Sequence, residues 1–137
     1  MKRDWDLIRK QLNDVEEGND LFYEIPSEPV WESQEWDIYE KQLQEHRAIE
    51  GRIFGHFELL VNAGYIDGLQ VVRSADGLFS YGLHSPRLTR AGHDLLDTMR
   101  SATIWEKIKT TAKAKGIELT FDAIKALGAL ALKSAFE

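Results

Sequence analysis

The stretch Ile53–Ile66, IFGHFELLVNAGYI, followed after an interval by Arg87–Asp97, RLTRAGHDLLD, decides how this chain is read. At 100° per residue, Ile53, Phe54, Phe57, Leu60 and Val61 share a face with the earlier Ile49, so the segment reads as an amphipathic helix from about Arg47 to Ala63. Gly64 closes it. Tyr65–Arg73 and Leu78–Leu83 then flank Ser74, Ala75, Asp76 and Gly77, and an Asp-Gly pair between apolar runs is a strong hairpin signal. A helix that leads directly into a hairpin is the passage from the third helix of a winged helix-turn-helix to its wing. The expected class is α+β, mainly helical: a winged helix-turn-helix with a small β-hairpin wing over about residues 1–88, extended by C-terminal helices over about 89–137, in a single domain.

The face of the Arg47–Ala63 helix turned away from the core is expected to hold Arg47, Ala48, Gly51, Arg52, Gly55, Glu58, Leu59 and Asn62. In a DNA reader this face would enter the major groove, with Arg and Asn reaching base edges. Two arginines, two glycines and an acid make a thin reading head. Gly51 and Gly55 disfavour an exposed helix by roughly 1 kcal/mol each relative to alanine, yet they allow a second backbone to approach closely. A helix that starts only after Gly51 is the alternative.

Further out, Trp5, Ile8, Leu12 and Val15 predict a first helix over about Asp4–Glu17, stopped by Gly18 and Asn19. Leu21–Ile25 reads as a short strand. Val30–Leu43, acidic and aromatic, has no clear assignment, and its Trp31, Trp36 and Tyr39 are expected to cover the edge of the core. On the C-terminal side, Thr89 is a candidate cap for a helix burying Leu95, Leu96 and Met99. Thr103 with Glu106 suggests a capping box for a helix carrying Ile104, Trp105 and Ile108, and Thr120 caps the last helix, with Leu119 and Ile124 as a staple. Lys109, Lys113 and Lys115 complement the dipole at the end of the middle one. The last helix, Phe121–Phe136, has Phe121, Ile124, Gly128, Leu132 and Phe136 on one side and Leu127 and Leu130 further around. Such apolar breadth predicts a homodimer through this helix.

Composition bounds the chemistry. The chain has 137 residues, enough for one core, and zero cysteines, which excludes disulfides, thiolate zinc sites and a cysteine nucleophile. MKRDWDLIRK has no apolar run behind its basic residues and is not a signal peptide; Ala126–Leu132, the longest wholly apolar run, falls short of the roughly 20 residues that cross a bilayer. A cytoplasmic protein away from membranes is expected. Met1–Glu50 carries six Lys and Arg against 14 Asp and Glu, net −8, and the remainder is net +2, for a total of −6. A DNA-binding domain usually shows a basic footprint, which is missing overall.

No catalytic constellation assembles: the sequence contains no Gly-rich phosphate loop, nucleophile elbow or HExxH. His46 and Glu50 have helical spacing for a metal pair but lack an indicated third ligand. His56, at the margin of the buried stripe, and His93 are read as structural hydrogen-bonding residues. The expectation is a protein without enzymatic activity, metal or cofactor.

Four ordered segments, MKRDWDLIRK, HFELLVNAGYI, RLTRAGHDLLD and IWEKIK, together resemble the domain of unknown function 2513 family, small winged-helix-like proteins of bacteria and their prophages. The resemblance covers nearly the whole chain and implies a phage or mobile-element context; the family brings no established activity, so it assigns no residue a role. Two functional expectations follow. The first is a DNA-binding regulator, with Arg47, Arg52 and Asn62 at the groove and Arg73 and Arg87 on the phosphate backbone from the wing. The alternative is a protein-interaction module, such as a phage factor engaging a host protein, in which Ala48, Gly51, Gly55 and Leu59 meet a partner helix.

Overall fold

The Asp4 carboxylate opens the first helix by accepting the Leu7 N–H at 3.1 Å, and α1 runs Trp5–Glu17 until Gly18, at φ 71°, turns the chain out of it. The computed structural model describes residues 2–31 and 35–136, with side chains in the terminal helix described as far as Ser134. Its elements are α1, then α2 (Trp36–Asn62), β1 (Ile66–Arg73), β2 (Phe79–Leu88), α3 (Arg90–Arg100), α4 (Ala102–Lys115) and α5 (Phe121–Phe136). They fall into two compact units, Met1–Leu88 and Thr89–Glu137. The α+β, mainly helical class is therefore met by five helices and a two-stranded antiparallel hairpin among the described residues.

In the first unit α1 packs on α2 and β2, and α2 packs on both strands. The core joins Leu7, Ile8, Leu12 and Val15 of α1 to Ile53, Phe54, Phe57 and Leu60 of α2, closed by Leu21, Tyr65, Ile66, Leu69 and Leu88. Burying each such side chain contributes about 1.5–3 kcal/mol. Expectation and structure differ in four places here. Leu21–Ile25 is not a strand: Phe22 N–H bonds the Asp20 carboxylate, Ile25 N–H bonds the Phe22 carbonyl, and the segment turns. The helix expected from Arg47 begins at Trp36 and runs 27 residues, about 40 Å, because no Pro or Gly interrupts it before Gly51. A start after Gly51 is thereby overturned, and no helix-turn-helix break divides α2 among the described residues. Ile49, expected inward, is 39% exposed.

The fourth difference is in the hairpin, whose second strand runs on to Leu88. The Ser74–Leu78 turn is closed by Ser74 N–H to Leu78 O at 2.8 Å and Gly77 N–H to Ser74 O at 3.0 Å. The register then slips between Asp67 and Leu69, where Asp67 faces Arg87 but Leu69 faces Leu83. Gly68, at φ 78°, passes so close to the bulging strand that a Cβ there would lie 2.6 Å from His84 O and 2.7 Å from Ser85 O. This irregularity carries β2 past Pro86 to seat Leu88 opposite Ile66, where both are buried.

In the second unit α3, α4 and α5 pack on one another around Leu95, Leu96, Met99, Trp105, Ile108, Ala112, Ile124, Leu127 and Ala131. Thr89 caps α3 through the Gly92 N–H, and Thr120 caps α5 through the Ala123 N–H, as the sequence suggests. The α4 cap moves: Ser101, not Thr103, accepts the Ile104 N–H at 3.3 Å, because the helix already begins at Ala102. Leu132 is 42% exposed rather than buried with Ile124, while the Phe136 side chain lies outside those described.

Candidate functional site

The outer face of α2 beside the hairpin carries a cavity of about 440 Å³ lined by Lys2, Ala48, Gly51, Arg52, His56, Arg73 and Phe79. Helix α2 supplies its floor through Ala48, Gly51 and Arg52, the end of β1 supplies Arg73, and the start of β2 supplies Phe79. Phe79 stacks on Phe54, with centroids 5.5 Å apart and rings 14° from parallel, and the Arg73 guanidinium lies 4.8 Å over its centroid. Arg73 also reaches Glu58 at 3.0 Å, and Arg52 pairs with Asp4. Both arginines remain more than half exposed, so these pairs orient the guanidiniums more than they stabilise the fold.

His56 anchors this face from beneath. It is fully buried, its Nε2 accepts the Asp4 N–H at 2.8 Å, and its Nδ1 donates to the Arg52 carbonyl at 2.7 Å. An Nε2 that accepts carries no proton, which assigns the Nδ1–H tautomer. Both nitrogens are spent on the backbone, consistent with the structural role expected of this histidine. Around Asp4, burial alone would raise the carboxyl pKa; the Leu7 N–H and the Arg52 guanidinium outweigh it and hold the group below its ordinary 3.8.

The other residues proposed from sequence are not all gathered here. Arg47 is exposed and lines a neighbouring hollow of about 190 Å³ with Glu28, Leu43, His46, Glu50, Leu78 and Phe79. Asn62 is exposed at the end of α2, and Arg87 pairs with Asp67 at 2.5 Å on the hairpin. In the alternative set, Ala48 is exposed, Gly51 and Leu59 are half-buried, and Gly55 is buried, so the row does not form one outward stripe. The helical wheel placed Gly55 outward because it took α2 to be covered on one side only; the start of α1 meets α2 at the adjacent His56. Met1–Leu88 carries nine Lys and Arg against 17 Asp and Glu, net −8, and Arg52, Arg73 and Arg87 each face a carboxylate.

A second surface feature lies in the acidic, aromatic stretch that has no clear assignment from its sequence pattern. Trp31 and Trp36 pack edge to face at 5.3 Å, and Tyr39 lies 5.5 Å from Trp36 and 6.4 Å from Trp31. Rather than covering the core edge as expected, the two tryptophans are 59% and 54% exposed, and the adjoining Ile38 is 48% exposed. Residues 24–40 include six acidic residues and no basic one. The available signal was a density of aromatics in a stretch with so few other apolar residues to pack against.

His46 and Glu50 do come together, at 3.1 Å, and His46 is buried with Nδ1 lacking a hydrogen-bond partner among the described residues. Among those residues no group of three His, Cys, Asp or Glu could hold a metal ion. None of the helices is long and apolar enough to cross a membrane, over the same residues.

Residues 2–118 match the family described as "Hypothetical protein (DUF2513)", a span that ends before α5. The chain is also 34% identical over 133 residues to a Haemophilus influenzae protein named only as an uncharacterized protein, covering 91% of this chain and 90% of that one. No solved structure matches.

Proposed function

The chain belongs to the domain of unknown function 2513 family, and from that premise we propose that it is a non-enzymatic protein-interaction module whose contact surface is the aromatic cluster at the start of α2. The observation that carries this reading is the exposure of Trp31 and Trp36, packed with Tyr39, in a segment of uniformly negative charge. Exposed aromatics are enriched at the centres of protein interfaces, where a desolvated Trp or Tyr supplies much of the binding energy. The acids Glu28, Glu35, Asp37 and Glu40 select a partner with an apolar cleft rimmed by Lys and Arg, and they repel a phosphate backbone. A host protein engaged by a phage or prophage factor is the setting that the family resemblance suggests.

DNA-binding regulation has less support, given the net charge of −8 on the first unit, which opposes the approach of an extended polyanion. One experiment weighs the two readings. The full chain, the Trp36→Ala/Tyr39→Ala variant and the Asp37→Lys/Glu40→Lys variant are used as bait in bacterial extract and titrated by fluorescence anisotropy against duplex DNA. The interaction reading expects the same protein to be captured by wild type, lost with both variants and released by salt, with no DNA binding. Equal capture by all three chains, or salt-sensitive DNA binding that survives the substitutions, overturns it.

A homodimer through α5 is a further reading, favoured by Leu130 at 59% exposure and Leu132 at 42% on a helix otherwise rich in alanine. Light scattering on wild type and Leu130→Glu tests it: a dimeric mass that halves in the variant supports this contact, and a monomeric wild type removes it.

A further inference from the structure

We propose that the cavity between α2 and the hairpin is a binding site for a small organic phosphomonoester, held by Lys2, Arg52 and Arg73 over the open backbone at Gly51. This is independent of the aromatic surface. The volume of about 440 Å³ lies within the range of about 300–1,000 Å³ usual for ligand sites. Three cations converge on it from three separate parts of the chain. Two carboxylates, Asp4 and Glu58, compensate two of these charges and leave a net excess of one positive charge.

The carboxylates do not exhaust the guanidiniums. Arg52 and Arg73 each commit one terminal nitrogen to the ion pair, at Asp4 and at Glu58, out of five N–H donors per guanidinium. Each guanidinium therefore keeps further N–H donors beyond its ion pair, on a side chain that is more than half exposed. Planar guanidinium groups match the geometry of a phosphate better than any other side chain, and Lys2 adds a mobile point charge. His56 contributes shape only, since both ring nitrogens are bonded elsewhere.

Gly51 shows that the opening is not a by-product of tight packing. A Cβ at this position would meet nothing closer than Phe79, at an ordinary 4.0 Å. The fold has room for a side chain there, and alanine would stabilise the helix by roughly 1 kcal/mol. Glycine stands at a position where packing does not require it and where any larger residue would grow into the cavity. The organic part of the ligand accordingly lies over Gly51 and Ala48, beside Phe79, which also packs on Phe54 and Arg73.

The test uses adenosine 5′-monophosphate and inorganic phosphate as probes, with adenosine as the uncharged control, read by calorimetric titration and thermal shift. The variants are Gly51→Leu, which fills the cavity, and Lys2→Glu, which inverts a charge at an exposed position outside the core; circular dichroism verifies that each folds. The expected result is saturable binding of the monophosphate by wild type, at least tenfold weaker for inorganic phosphate and undetectable for adenosine. Gly51→Leu should abolish it and Lys2→Glu should weaken it at least tenfold. Absence of saturable binding of either anion by wild type overturns the proposal, as does binding that survives both substitutions, which would mark nonspecific attraction to surface cations. If Gly51→Leu fails to fold, Lys2→Glu decides alone.

Discussion

Replacing His56 with leucine should destabilise the first unit by about 2 kcal/mol, although leucine is similar in size and more apolar. The magnitude follows from what each ring nitrogen does. Without Nε2, the Asp4 N–H loses its acceptor at the edge of the core, and a stranded buried donor costs about 1–3 kcal/mol. Loss of the Nδ1 bond removes a further 0.5–1.5 kcal/mol or so, but the Arg52 carbonyl stays within the α2 ladder and is not orphaned. The greater hydrophobicity of leucine returns roughly 1 kcal/mol. Urea unfolding followed by circular dichroism and tryptophan fluorescence reads the balance. With a slope of about 1–3 kcal/mol/M, the midpoint should fall by roughly 1 M. His56→Gln, whose Oε1 can accept the Asp4 N–H, should recover part of the loss. Nitrogen NMR of the wild-type ring should show the proton on Nδ1. A ring protonated on Nε2, or a leucine variant within about 0.3 M of wild type, would falsify the clasp between Asp4 and His56.

Two further outcomes follow from single positions. Asp4→Ala removes both the α1 cap and the Arg52 partner and should reduce stability by about 0.5–2 kcal/mol near neutral pH. Because the folded carboxyl titrates below 3.8, its contribution is complete above that pH and fades as pH falls through the lower folded value; the difference between wild type and variant should therefore shrink in acid, and a difference that grows there refutes the assignment. Gly68→Ala and Gly77→Ala both place alanine at positive φ, but only Gly68 would drive its Cβ into backbone carbonyls. Gly77→Ala should cost about 1–2 kcal/mol and Gly68→Ala clearly more, with loss of hairpin cross-peaks by NMR; equal effects would contradict the close approach at the bulge.

Legibility in the sequence follows the range of the interactions involved. Thr89 and Thr120 were readable as caps because each bonds an N–H three residues on, and Asp4, which marks the start of the first helix in the sequence, caps it in the same way. Asp76-Gly77 announced its turn for the same reason. The Ser101 cap was missed because Thr103 with Glu106 offered a competing pattern two residues along, whereas α4 begins at Ala102 with the Ser101 hydroxyl accepting the Ile104 N–H. The first half of α2 was missed because its stripe at helical spacing, Trp36, Tyr39, Leu43, His46 and Glu50, is not uniformly apolar; what joins it to Ile53 and Phe57 is the lack of any breaker between them.

The candidate sites divide along the same line. Arg52, Arg73, Ala48 and Gly51 were all chosen from sequence, yet in two rival sets, and the structure brings these four together around one cavity with Lys2, which neither set contained. By itself the sequence determined the α+β, mainly helical class, the hairpin, most helix ends and the structural character of His56, because periodicity, turn chemistry and capping act within a few residues. Only the tertiary structure decided that Gly55 is buried, that the arginines face carboxylates and that the tryptophans face solvent. These outcomes rest on partners 15 residues away for Arg73, 48 for Arg52 and 52 for the His56 clasp, distances over which no local pattern specifies which surfaces will meet.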